Sequence, residues 1–260
     1  MARRLEIEGL SLGYGRRHVI KNLSMAPVEG GSLTGLVGPN AAGKTTLLRG
    51  IAGLLPAEGS IRLDGQELTK LGAAEHAAHV TYMPQALPQR VALSVFEAGL
   101  SALMSSPDPT IHGAAAREQV MATLDRLGIA DLAMRGLDEL SGGQRQLASL
   151  AQSIVRDPEV LLLDEPTSAL DIRYAMRVMQ VVEELAREKG TIVIVVVHDI
   201  ALASRWCRRL VVIADGKVAA DGSPDEAVTP EMLANVYGVE ARVERCSRGT
   251  VQIMVDRALP

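Results

Sequence analysis

The chain has 260 residues, of which 47% are hydrophobic, 22% charged and only 2% aromatic, so a core of almost purely aliphatic side chains is expected. A formal net charge of -4 and a sequence pI near 5.8 argue against a broad electropositive face, and nucleic acid is not an expected partner. The longest strongly apolar run, Ile192 to Val197, falls far short of the roughly 18 to 20 residues that cross a bilayer. Met1 to Glu8 has no apolar signal segment, so a chain retained in the cytosol is expected, with Cys207 and Cys246 as reduced thiols and no Cys/His cluster for zinc.

In chain order, Leu5 to Leu12 and Val19 to Met25 alternate apolar and polar positions and predict an antiparallel hairpin. Ser32 to Val37 reads as a short strand, followed by a glycine-rich loop and, from Lys44, a helix carrying Leu47, Leu48, Ile51, Leu54 and Leu55. Asp64-Gly65 signals a second hairpin, and Val80 to Met83 a strand that stops at Pro84. From Leu87 to about Pro158 helical patterns take over, broken by a loop over 105–109, which predicts an inserted helical subdomain. In its last helix Leu147, Leu150, Ala151, Ile154 and Val155 share one face, and Ser141 is placed to cap the start.

Val160 to Leu163 and Thr191 to Val197 are aliphatic throughout, as expected of parallel strands buried on both faces, with a helix from about Asp171 to Lys189 between them. Such α/β alternation places ligands at the carboxyl ends of the strands. A further hairpin turns at Asp215-Gly216-Lys217, and Pro230 to Tyr237 reads as a short helix before a final weak strand pair.

Chemistry concentrates at those strand ends. Gly38-Pro39-Asn40-Ala41-Ala42-Gly43-Lys44-Thr45 satisfies G-x-x-x-x-G-K-[ST], between a strand and a helix as a phosphate loop requires, with Thr46 next in the helix. Backbone N–H groups there would cradle phosphate, Lys44 would add charge, and the Thr45 hydroxyl would ligate Mg2+. Asp164 and Glu165 follow the Val160 to Leu163 strand; the first would orient the magnesium shell and the second polarise an attacking water as general base.

Leu140-Ser141-Gly142-Gly143-Gln144, one helix ahead of that carboxylate pair, resembles the signature motif of the ATP-binding cassette (ABC) ATPases. The resemblance runs over nearly the whole chain: Tyr14 looks like the aromatic that stacks on adenine, Gln85 the Q-loop glutamine at the magnesium, Ser168-Ala169-Leu170-Asp171 the D-loop, and His198 the switch histidine. It implies a P-loop NTPase of ABC type, with a mixed β core, an N-terminal antiparallel subdomain and an inserted α-helical subdomain. Residues 1–86 and 159–260 would form the catalytic core and 87–158 the insert. It also implies a head-to-tail homodimer around two ATP molecules, in which the signature residues Ser141 to Gln144 cap the γ-phosphate held by the second copy, and Asp171 contributes at the same junction. ABC phosphate loops often carry glycine where this chain has Ala41. An alanine there must hold negative φ or accept a cost on the order of 1 to 2 kcal/mol, and ordinary ATP binding is expected.

Val80 to Gln85 and Thr229 to Val239 look like the ATPase subunits of bacterial importers for iron-siderophores, haem and cobalamin. That implies an ATPase coupled to transport, peripheral on the cytoplasmic side of the inner membrane, docked on a separate polytopic permease and served indirectly by an extracytoplasmic substrate-binding protein. The docking groove would lie between the core and the insert and use the stretch after Gln85, with Leu93, Val95, Phe96 and Leu100. The other reading of these residues is helix packing inside the subdomain, and the two readings can hold for different residues. The alternative is a soluble ABC ATPase without a permease, serving metal-cofactor assembly.

Overall fold

In the computed structural model, which describes residues 3–15, 17–85, 92–105, 111–168 and 170–260, three sheets organise the chain. The long strands β1 (Arg4–Tyr14) and β2 (Arg17–Glu29) pair antiparallel, and β4 (Ala57–Leu63) and β5 (Gln66–Glu67) extend them in the order β2-β1-β4-β5. The second sheet contains β3 (Leu33–Val37), β6 (Val80–Met83), β7 (Val160–Asp164), β8 (Ile192–Val196), β9 (Arg209–Ala214) and β10 (Lys217–Gly222), ordered β10-β9-β3-β8-β7-β6. Its pairs are parallel except β9 with β10. A C-terminal pair, β11 (Val239–Arg245) and β12 (Val251–Ala258), forms the third.

The aliphatic strands serve two cores at once because successive side chains point to opposite faces. On β7, Val160 and Leu162 enter the core beneath the antiparallel sheet, while Leu161 and Leu163 enter the core on the other face. On β8, Ile192, Ile194 and Val196 take the first side and Val193 and Val195 the second. The helix α1 (Lys44–Ile51) fills the first core with Leu47, Leu48 and Ile51. The second receives α5 (Gly142–Ile154) and α6 (Ile172–Lys189), together with Val95 and Leu103 of α3 (Val95–Met104) and Val120 and Leu124 of α4 (Gly113–Arg126).

Helix ends follow local chemistry. Ser141 and Gln144 form a reciprocal capping box at the start of α5, and Asp171 caps α6, which ends on Gly190 with φ 65°. Three helices absent from the pattern reading appear: α2 (Ala73–His79), α7 (Ile200–Trp206) and α8 (Pro224–Ala227), before the expected α9 (Pro230–Tyr237). Each of the three spans at most seven residues, too few turns for a helical period to show. Leu87, where the helical insert was expected to begin, and most of the expected 105–109 loop lie outside the described residues, as does Ala169 of the D-loop.

Candidate active site

Parallel pairing brings four carboxyl ends to one edge: Leu36 of β3 and Asp164 of β7 both pair with Val196 of β8, and Met83 of β6 pairs with Leu163. The residues that follow these strands therefore converge. A cleft of about 380 Å3 is lined by Tyr14, Asn40 to Thr46, Glu165 and His198.

The phosphate loop is held open by backbone that side chains rarely tolerate. A Cβ on Gly38 would collide with the Ile213 carbonyl, and Gly43, at φ 109°, begins α1 without any side-chain cap. The first N–H groups of α1 thus have no partner within the helix and face the cleft as anion donors. Lys44 is only 6% exposed, and its Nζ donates to the carbonyls of Gly38 at 2.7 Å and Pro39 at 2.8 Å. Burial lowers its pKa, while Glu165 and Asp164 raise it.

Ala41 resolves the alternative left open by the sequence. Its φ is 63°, so the loop takes the left-handed conformation at a non-glycine residue and carries the associated cost of about 1 to 2 kcal/mol.

Asp164 is fully buried. Thr45 Oγ1 donates to its Oδ1 at 3.1 Å, and the Tyr82 hydroxyl donates to its Oδ2 at 3.0 Å. Burial pushes the Tyr82 phenol up to about 12, so it remains a donor at neutral pH. A hydroxyl and a carboxylate oxygen side by side are the hard ligands that Mg2+ takes, so the residues present fit that ion. Arg49, the last basic residue of α1, donates to the Tyr14 hydroxyl at 3.3 Å and interacts also with Tyr82. The aromatic at the cleft mouth is thereby tied through Arg49 and Tyr82 to the buried aspartate.

Glu165 is the second non-glycine residue of the site in the left-handed region, at φ 54°. Extended backbone would send it to the sheet face opposite Asp164; the left-handed turn instead lets Glu165 line the cleft, beside the Thr45 hydroxyl that Asp164 holds from below. Its Oε2 accepts from Gln85 Nε2 at 2.5 Å, and its Oε1 lies 2.5 Å from His198 Nε2. Gln85, at the end of β6, and His198, past β8, thus hold one carboxylate from both sides.

Other expected site residues lie outside this cleft. Ser141, Gly142, Gly143 and Gln144 start α5, where Gln144 N–H donates to Ser141 Oγ at 3.3 Å and Ser141 N–H to Gln144 Oε1 at 3.0 Å. Ser141 and Gly142 are exposed. The Asp171 carboxylate accepts from Tyr174 N–H at 3.0 Å as a helix cap. The sequence signals Tyr82 as an aromatic beside Gln85 but not its contact with Asp164, and nothing in it signals Arg49, whose partners Tyr14 and Tyr82 are distant in the chain.

A groove of about 410 Å3 separates β6 from the helical region and is lined by Tyr82, Pro84, Leu93, Ala98, Ala102 and Arg145, among others. Leu93 is there as expected. Val95 is instead buried in the core, and Phe96 and Leu100 pack against that core. Residues 86–91, expected to contribute, lie outside the described residues.

A parallel core sheet flanked by an antiparallel sheet, with a phosphate loop, two strand-end carboxylates and a capped glycine motif, defines a nucleotide-hydrolysing cassette. Residues 20–168 match the ABC transporter family. The chain is 37% identical over 250 residues to the hemin import ATP-binding protein HmuV of Bordetella avium, covering 92% of this chain and 94% of that one. It is 35% identical over 242 residues to the ferric enterobactin transport ATP-binding protein FepC of Escherichia coli, covering 92% and 89%. Its fold is similar to a dimeric ATP-binding cassette solved in a post-hydrolysis state with ADP and Pi, at TM-score 0.76 and 25% identity over 85% of this chain and 98% of that one. The chain belongs to the ABC transporter family and is an ATP-binding, ATP-hydrolysing cassette.

Proposed function

We propose that this cassette powers a bacterial importer for an iron-siderophore, haem or cobalamin-type ligand, acting as a homodimer on the cytoplasmic face of a separate permease that an extracytoplasmic binding protein supplies. The observation that carries the catalytic half is the Glu165 carboxylate gripped between Gln85 and His198 at the mouth of the phosphate loop. Glu165 is the general base that takes a proton from the attacking water, and His198 and Gln85 hold that base in line with the γ-phosphate. Gly38 and Pro39 shape the loop, backbone N–H groups from Asn40 to Thr46 and Lys44 bind the phosphates, and Tyr14 stacks on adenine. Thr45 and Asp164 would hold Mg2+, with Gln85 beside them, and the ion supplies charge neutralisation on the phosphate oxygens.

Ser141 to Gln144 and Asp171 complete the site of the second copy. The exposed start of α5, with the positive end of its helix dipole, supports this reading because it is an anion site with no phosphate of its own. We assign residues 1–86 and 159–260 to the catalytic core and 87–158 to the insert, with the groove beside Leu93 receiving a permease segment. The relatives' import names support the cargo class, and among the described residues no helix is long and apolar enough to cross a membrane. Affinity purification from native membranes tests the transport half: a polytopic protein retained with the cassette, and ATPase stimulation by haem or ferric siderophore with its receptor, are expected. An active cassette with no membrane partner would replace this reading by the permease-free one.

A further inference from the structure

Gln146 lies one helical turn past the glycines of the signature motif and has no role in the chemistry described so far. It is 5% exposed, and its Nε2 donates to the backbone carbonyl of Glu165 at 2.9 Å. That same oxygen accepts from Ser168 Oγ at 3.1 Å and from Ser168 N–H at 3.3 Å. The residue so anchored is the one held at φ 54°. An unfavourable backbone conformation persists where surrounding contacts over-determine it, and three donors on one carbonyl do that. We propose that Gln146 is a positioning residue for hydrolysis: its buried carboxamide fixes the left-handed backbone of Glu165, and so ties the base to the helix that begins with the signature motif.

This rests on Glu165 being the general base. Its consequence reaches across the dimer. The α5 N-terminus of one copy meets the nucleotide of the other, whereas Glu165 of that same copy acts on its own nucleotide. Gln146 therefore connects the occupancy of one ATP site to the geometry of the base in the second. A helix displaced by ATP on its far end carries the Gln146 amide, and with it the Glu165 backbone.

Steady-state ATPase kinetics on the full chain test this with Gln146→Met, Gln146→Glu, Ser168→Ala and Glu165→Gln. Gln146→Met keeps the side-chain length and removes the donor. It should lower kcat on the order of ten- to hundred-fold with KM for ATP and fluorescent-nucleotide affinity unchanged, because the reacting groups are misplaced while the phosphate loop is intact. The Hill coefficient for ATP should fall towards one. Gln146→Glu should exceed Gln146→Met at low pH and fall to the Gln146→Met level as pH rises, each relative to the unsubstituted chain, since only the protonated carboxyl can donate to the Glu165 carbonyl and burial holds that carboxyl protonated above its ordinary range. Ser168→Ala, at an exposed position, should shift kcat the same way by a smaller factor and keeps the test open if Gln146→Met does not fold.

Wild-type kcat and cooperativity in Gln146→Met, or a loss of kcat that comes only together with lost nucleotide affinity, would overturn the proposal. So would a Gln146→Glu variant indifferent to pH, or a Ser168→Ala variant with unchanged kcat where Gln146→Met does not fold. Full turnover in Glu165→Gln would remove the base assignment itself, and this proposal with it; an inactive Glu165→Gln beside a fully active Gln146→Met would remove the proposal alone.

Discussion

Two residues of the nucleotide site hold backbone conformations that a side chain resists, and they differ in what they gain. Glu165 at φ 54° lines the nucleotide cleft, which the buried Asp164 reaches only through Thr45. Ala41 at φ 63° is exposed, and nothing in the structure requires its methyl group. Ala41→Gly should therefore raise stability against urea by about 1 kcal/mol, the left-handed penalty removed less the added entropy of an unfolded glycine. A destabilised Ala41→Gly would show that the loop carries no such cost. Tyr82→Phe removes the donor to Asp164 Oδ2 and leaves the ring. Lost charge-assisted hydrogen bonding should raise the Mg2+ concentration for half-maximal ATPase about three- to tenfold, with metal-free nucleotide binding unchanged. An unaltered magnesium titration would mean that Thr45 alone orients the aspartate. The phosphate loop, Asp164, Glu165 and His198 were legible because each sits at the end of a strand with a strong aliphatic pattern. The contacts of Tyr82, Arg49 and Gln146 were not, because their partners lie 19 to 82 residues away and no period or spacing encodes such a pairing.

The helix α5 shows how one motif can cap a helix and leave its start open. The Ser141 and Gln144 side chains satisfy each other's backbone N–H groups, and Gly142, with open space where a Cβ would stand, leaves the helix start uncovered. Ser141→Ala should cost about 1 kcal/mol of stability through the lost cap. It should also weaken ATP-driven dimerisation, measured by sedimentation; a variant less stable but equally dimeric would confine Ser141 to capping. The strands β7 and β8 and the helices α5 and α6 were readable from period and caps. The helix α3 was readable as a helix, but not its orientation: Val95 belongs to the core, and only Leu93 of the expected apolar set lines the groove. Which face of an amphipathic helix turns inward depends on neighbours that the local pattern does not contain. The strand β1 likewise runs to Tyr14, because register shifts along its pairing absorb the breaks in alternation.

The aliphatic composition matches a molecule whose central sheet feeds two cores, one shared with the antiparallel sheet and one with the helices. Its two thiols differ accordingly. Cys207 is buried and pushed up to about 12 by desolvation, whereas backbone hydrogen bonds hold Cys246 below the ordinary thiol range. Mild alkylation at pH 8 should label Cys246 in the folded chain and Cys207 only on unfolding; equal labelling would mean that the core around Cys207 opens readily. Because the Cys207 pKa is raised on folding, its contribution to stability is complete below pH 9 and declines between pH 9 and about 12, where only the unfolded chain ionises. The nucleotide cleft lies at one edge of the central sheet, and the capped glycine motif sits outside it, as the proposed pairing of two copies requires. Turnover and sedimentation of Glu165→Gln with ATP and Mg2+ therefore decide the matter together. Abolished hydrolysis with a stable ATP-bound dimer is the predicted result, and continued hydrolysis by a chain that stays monomeric would contradict it.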